Sequence, residues 1–417
     1  MVGVCFYFQV HQPERLRKYR IFDIGSKNDY FDDERNKEIM LRVANKCYLP
    51  MNKLLLDLIN KYGKKFKVAF SISGIAIEQF EKYAPKVLES FQELAKTGCV
   101  EFLSETYYHS LCFLYSKEEF REQVELHRKT IKKYFGCEPK IFRNTELVYS
   151  NDLAREVEKM GYSGVLAEGW DNILGWRSAN HLYSPKESKK KIALFMKNYS
   201  LSDDIAFRFS EQNWEHYPLT AEKYSSWIGK AAEKGEIVNL FMDYETFGEH
   251  QEKQTGIFDF YKELVGVLLK DGYEFVTPSS ALAKFPIRDE IDVPFYVSWA
   301  DRERDLSAWL SNRMQQEAMH EIYQLEELVK KIEDRRLLDD WRKLTCSDHF
   351  YYMSTKMGND GAVHWYFNPY KSPYDGYVYF MNALNDIIVR IKLKSCGKKM
   401  PDLKNNIVDE IKLELEQ

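Results

Sequence analysis

No stretch of the 417-residue chain comes near the ~20 consecutive apolar residues that a membrane-spanning helix requires. The apolar run Met-Val-Gly-Val-Cys-Phe-Tyr-Phe has no basic residues ahead of it and no small-residue cleavage site, so it reads as a strand and not as a secretory leader. Cys-x-x-Cys pairs are absent, and the seven cysteines are an odd number, which excludes a zinc ribbon and a full disulfide framework and fits a reducing compartment. Positive charge is not in excess: 60 Lys+Arg face 64 Asp+Glu for a net charge of −4, against a nucleic-acid partner. Neither Gly-x-Gly-x-x-Gly after the first strand nor a phosphate-binding Gly-x-x-x-x-Gly-Lys-Ser/Thr is present. No His-Glu-x-x-His or His-x-x-x-His occurs, and the histidine closing the first apolar run is followed by Gln-Pro, so no catalytic metal is expected. These absences predict a cytoplasmic protein with no cofactor, no nucleic-acid partner and no membrane partner.

What is present is a chain rich in buried-strand signals. Hydrophobic residues make up 44% and aromatics 15%, which excludes disorder. Short apolar runs at 2–10, 66–72, 100–103, 140–142, 164–167, 192–196, 237–242 and 275–277 alternate with helical patterns, the signature of a parallel sheet covered on both faces. One such helix opens on Ser-Lys-Glu-Glu at Ser116, a capping-box sequence. After Phe285-Pro286 strand signals become rare. Ala318, Ile322, Leu325, Val329 and Ile332 then share one helical face, and Leu384, Ile387, Ile388 and Ile391 another, with a third helix at Leu403, Ile407, Ile411 and Leu415. The expected organisation is an α/β barrel domain over 1–285 and a helical domain over 286–417 that completes the active site.

Polar residues recur where the apolar runs end, the edge at which parallel barrels collect function. They are His11-Gln12, Ser71 to Ser73 with Glu78 beyond, Ser104-Glu105 with His109, Arg143 to Glu146, Glu168 to Asp171, and Asp243 with Glu245. Carboxylates, histidines and tryptophans on one rim suit acid–base work on a polyhydroxylated ligand. Arg143 and Asn144 are placed to keep Glu146 ionised, as a nucleophile requires. The apolar approach to Asp243, with Glu245 two residues on, is expected to raise its pKa as a proton donor requires.

At these residues the sequence resembles glycoside hydrolase family 57, which includes amylases, glucanotransferases and branching enzymes. Its five ordered motifs have counterparts in His11-Gln12-Pro13, in Gly74 to Gln79, in Phe142 to Glu146, in Met242 to Gly248 and in Asp305 to Asn312. Tyr107-Tyr108-His109, Gly175 to Ser178 and Ser347 to Tyr352 match the amylase-like branch. The resemblance implies a seven-stranded (β/α) barrel with a C-terminal helical bundle, one of the eight strand signals being an edge strand or an excursion within 192–209. It also implies metal-free, retaining cleavage of α-glucosidic bonds in starch, glycogen or maltooligosaccharides, with Glu146 as nucleophile and Asp243 as proton donor. His11, Glu78, His109, Trp170, Trp176, Trp299, Asp305 and Trp309 are the expected substrate contacts. The activity expected is that of an α-amylase. The alternatives are a 4-α-glucanotransferase, a non-catalytic glucan-binding protein, and a metal-dependent deacetylase or mannosidase on a similar barrel.

Overall fold

The computed structural model describes residues 2–189 and 192–395; the helix expected around Leu403 to Leu415 lies outside them. The chain divides into two compact units, one of 1–12, 37–109 and 118–305, the other of 13–36, 110–117 and 306–417. The division thus falls after Asp305 and not at Phe285-Pro286, because the segment that follows Pro286 is still part of the first unit's sheet.

In the first unit, strand β1 (Gly3–Val10) is central and runs parallel to β2 (Val68–Ile72) and β8 (Ile237–Asp243). Strand β3 (Val100–Phe102) extends the sheet beyond β2, and the two-residue β9 (Glu274–Phe275) pairs with the start of β1. A second sheet has the order β10 (Ile287–Ile291), β6 (Leu182–Pro185), β7 (Ala193–Lys197), β5 (Gly164–Glu168), β4 (Ile141–Arg143). Strand β7 is parallel to β5, so 193–197 is an integral strand and not an excursion. The two sheets meet at a parallel bridge between Ser104 and Phe142. They meet again where the Asn198 N–H donates to the Asn239 carbonyl at 2.8 Å and the Asn239 amide to the Met196 carbonyl at 2.9 Å. These seams replace continuous ladders. Among the described residues the structure is α/β, with two sheets joined at these seams and no continuous ladder around them.

Both faces of β1 are buried, which explains its unbroken apolar run. Val4, Phe6 and Phe8 face the helices Leu49–Tyr62 and Ile257–Lys270, while Cys5 and Tyr7 join an inner core with Ala69, Leu103, Ile141, Leu166, Phe195 and Phe241. Side chains two residues apart on a strand share a face. The inner rows of seven strands therefore continue, one step beyond that core, as Gln9, Ser71, Glu105, Arg143, Glu168, Lys197 and Asp243. All seven sit at the same, C-terminal end of the strands, and all except the partly exposed Asp243 are buried.

The second unit is helical. Its core holds Trp309, Ala318, Met319, Ile322, Trp341, Phe350, Phe380, Leu384 and Ile387. The expected helical face from Ala318 to Ile332 is split into Arg313–Gln324 and Glu326–Lys331 at Leu325. The first of these is capped reciprocally by Asn312 and Gln315. Trp341 donates its indole N–H to the Ile322 carbonyl at 2.8 Å.

Candidate active site

The polar ring above the inner core is wired from β1 outward. Register sets Gln9 beside Ser71 on one flank and Asp243 on the other. The Gln9 carbonyl oxygen accepts from the Tyr7 and Ser71 hydroxyls, each at 2.7 Å. With its oxygen thus oriented, Gln9 points its amide N–H at Glu105 Oε1, 3.0 Å away. Glu105 Oε2 lies 2.9 Å from His109 Nδ1, and His109 Nε2 lies 3.3 Å from Glu146 Oε1.

Burial alone would raise the Glu105 pKa, but the His109 bond and the charges of His109, His127 and Arg143 outweigh it and hold Glu105 at about 2. Burial likewise opposes the charged form of His109, and Glu105 and Glu146 overcome it to raise His109 to about 9. At neutral pH Glu105 is therefore a carboxylate and His109 an imidazolium. His109 also stacks on His11 at 3.9 Å between centroids, and His11 Nδ1 is 2.7 Å from the Ser73 hydroxyl.

Glu146 lies in a short turn just past β4 with left-handed backbone (φ 58, ψ 26), and Leu147 follows with φ 49. Each such non-glycine residue costs about 1–2 kcal/mol. A strap formed by residues 292–299 holds the turn in place. Tyr149 and Val297 exchange backbone hydrogen bonds of 2.9 and 3.0 Å, and the Asn151 N–H donates to the Val293 carbonyl at 2.9 Å. Trp299 then grips Glu146 twice. Its backbone N–H donates to the Glu146 carbonyl at 3.2 Å, and its indole N–H to Glu146 Oε2 at 2.8 Å.

The side chains of Arg143 and Asn144, expected to keep Glu146 ionised, make contacts of their own beside it. The Asn144 amide donates to the Val148 carbonyl at 2.9 Å, stiffening the turn. The Arg143 guanidinium is buried without a hydrogen-bond acceptor and lies 4.8 Å from the Trp299 ring centroid. Lys197 Nζ is over the same ring at 5.3 Å. Contacts of this kind contribute about 0.5–2 kcal/mol each. Lys197 also pairs with Glu168 at 3.6 Å and Asp203 at 3.1 Å, and Arg304, beyond the strap, pairs with Glu168 at 3.1 Å.

Asp243 ends β8. Burial first, then the charge of Glu146, raises its pKa to about 6, against the pull of Arg143, His109 and Lys197. The carboxylate that raises Asp243 most is thus Glu146, while the repulsion between Asp243 and Glu245 is expressed on Glu245. Glu245 has turned away with the following 3₁₀ turn, where it accepts from the Tyr48 hydroxyl and, at 3.5 Å, from the Gln12 amide. Burial and Asp243 push Glu245 itself to about 8.

The other expected contacts are dispersed. Glu78 lies within the helix Gly74–Tyr83 and accepts from the Tyr107 hydroxyl at 2.8 Å. Gly74 is required there, since a Cβ would meet the Tyr107 ring at 2.2 Å. Trp170 is partly exposed and precedes the turn of helix Asp171–Leu174. Trp176 is 87% exposed with Arg177 over its ring. The side chain of Asp305 is exposed, and its carbonyl accepts from the Ser298 hydroxyl at 2.7 Å. Trp309 has no exposed face to offer a sugar: it is fully buried in the second unit, against Tyr351.

Residues 5–294 match the model of glycosyl hydrolase family 57. The chain belongs to this family. It is therefore a glycoside hydrolase, and the rim carboxylates belong to a family 57 enzyme. A Methanocaldococcus jannaschii protein named "Putative alpha-amylase" is 42% identical over 403 residues, covering 93% of this chain and 85% of that one. An α-amylase of Pyrococcus horikoshii is 24% identical over 201 residues, and that match spans only 31% of its length. Among solved structures, a family 57 branching enzyme from P. horikoshii superposes with a TM-score of 0.67 at 16% identity, covering 88% of this chain and 87% of that one. The 4-α-glucanotransferase of Thermococcus litoralis gives 0.63 at 17%, covering 84% of this chain and 56% of that one. No helix among the described residues is long and apolar enough to cross a membrane.

Proposed function

We propose that this family 57 chain is a retaining α-glucan hydrolase of the α-amylase type. The observation that carries the reading is the difference in environment between the two rim carboxylates. Asp243 is raised to about 6 by burial and by the charge of Glu146, as a proton donor requires. Glu146 is held by two N–H groups, one from the His109 ring and one from Trp299, as an ionised nucleophile requires. Glu146 attacks the anomeric carbon, and Asp243 protonates the leaving oxygen and then takes a proton from the attacking water. A retaining pair stands ~5–5.5 Å apart at the carboxyls, and that is the separation this reading assigns to Glu146 and Asp243.

His11 and Glu78 are the proposed hydroxyl contacts, His109 being committed through both ring nitrogens to Glu105 and Glu146, and Trp170 and Trp176 are the remaining candidates for stacking. The seven strands β1 to β5, β7 and β8 are proposed to serve as the (β/α) barrel of the family. The α-amylase name of the 42%-identical relative supports hydrolysis over transfer. Incubation with maltoheptaose, with products mapped by size, is the test. Shorter chains alone are expected, whereas chains longer than the substrate would establish a 4-α-glucanotransferase. Activity that disappears on chelation and returns with zinc would favour the deacetylase-like alternative.

A further inference from the structure

Trp299 can serve a glycosidase as a ring against which a sugar stacks or as a donor that holds the nucleophile. Its contacts favour the second. The indole N–H is committed to Glu146 Oε2 at 2.8 Å, and the backbone N–H of the same residue holds the Glu146 carbonyl at 3.2 Å. Two buried cations, Arg143 and Lys197, lie over its ring at 4.8 and 5.3 Å. Arg143 has no hydrogen-bond acceptor of its own, so the π face of Trp299 is one of the few favourable partners this guanidinium meets. A cation over an indole draws electron density from the ring and polarises its N–H, which strengthens the bond to the carboxylate. Glu146 Oε1, by contrast, has the longer 3.3 Å contact to His109.

We propose that Trp299 is a positioning residue that makes Oε1 of Glu146 the attacking oxygen and Oε2 the carbonyl oxygen of the glycosyl-enzyme. This rests on the reading of Glu146 as nucleophile. In the first step the Oε1–C1 bond forms, the C1–O glycosidic bond breaks, and the proton of Asp243 passes to the leaving oxygen. The Trp299 N–H stays on Oε2, draws charge from the ester and improves Glu146 as a leaving group. In the second step water attacks C1, its proton returns to Asp243, and the Oε1–C1 bond breaks.

The test replaces Trp299 in the full chain with β-(3-benzothienyl)alanine, which keeps the fused ring and puts sulfur in place of N–H, beside Trp299→Phe. Maltoheptaose and α-maltosyl fluoride are the substrates, since fluoride leaves without a proton. Loss of one preorganised donor is expected to lower kcat about 10²-fold on both substrates, with KM within about threefold of wild type and the unfolding midpoint of the benzothienyl variant unchanged. A raised KM with unchanged kcat would make Trp299 a sugar platform and overturn the proposal, as would wild-type kinetics in both variants. Wild-type protein that releases no fluoride would instead overturn the reading of the carboxylate pair, and the proposal with it.

Discussion

Glu105 and Glu146 face the two nitrogens of a single imidazole: Glu105 Oε2 stands 2.9 Å from His109 Nδ1, and Glu146 Oε1 stands 3.3 Å from His109 Nε2. Glu105 is fully buried, while the Glu146 side chain keeps 21% of its surface exposed. One carboxylate therefore fixes the cation and the other remains accessible for chemistry.

This arrangement makes stability depend on pH in a defined window. His109 is raised to about 9, so its contribution is complete below its ordinary value near 6.5 and is lost as pH rises through 9. Glu105 is lowered to about 2, so its contribution is present above its ordinary value near 4.5 and is lost as pH falls through 2. Glu105→Gln should cost about 3 kcal/mol near pH 5–6, because it leaves the imidazole without its buried counter-charge. The difference from wild type should shrink above pH 9. Urea unfolding at several pH values checks this, and a cost that does not vary with pH would refute the ion pair.

The left-handed backbone at Glu146 gives a second prediction. Glycine adopts φ near 58° without a Cβ penalty, whereas alanine does not. Both Glu146→Gly and Glu146→Ala should abolish turnover, yet the glycine variant should be the more stable by about 1 kcal/mol. Equal urea midpoints would show that the turn carries no strain.

Much of the rim was legible because each inner strand face ends in a polar residue two positions beyond an apolar one: Tyr7 then Gln9, Leu166 then Glu168, Phe241 then Asp243. A period of two carries that information locally. The partners of Glu146 were not legible in the same way. Trp299 is 153 residues away, and its choice of the nucleophile over a sugar depends on how the strap crosses the turn. Asn144 and Glu245 mislead for a related reason. Each is a sequence neighbour of a catalytic candidate whose side chain a local turn directs elsewhere, to the Val148 carbonyl and to the Tyr48 hydroxyl. The charge expected beside Asp243 is present, but most of it comes from Glu146, on the other sheet. The domain boundary was misplaced because β10 and the strap follow Pro286 with few strand-like residues.

Glu245 supplies a third prediction. A buried carboxyl raised to about 8 keeps its proton in the fold while the unfolded chain ionises, so it lowers stability as pH rises from about 4.5 to 8. Glu245→Gln retains an oxygen for the Tyr48 hydroxyl and removes the ionisable group. It should stabilise the protein by more than about 1 kcal/mol at pH 8 and have little effect at pH 4. A variant less stable than wild type at pH 8 would mean that Glu245 is held as the anion.

The last prediction concerns the proton that Asp243 must deliver. With a pKa of about 6, the acid is protonated below that value, so kcat/KM on maltoheptaose should fall as pH rises through about 6. The limb should respond to the neighbouring cations. Lys197 lowers the Asp243 pKa, so Lys197→Gln should move the limb to higher pH. Asp243→Asn should remove the limb and slow maltoheptaose cleavage by about 10²–10⁴-fold. Turnover of α-maltosyl fluoride should suffer much less in that variant, because its leaving group needs no proton. If Lys197→Gln shifts the limb downward, or if Asp243→Asn slows both substrates equally, the proton comes from another group. The buried Glu245, with its own pKa near 8, would then be the carboxyl to replace next, since it would place the limb two pH units higher.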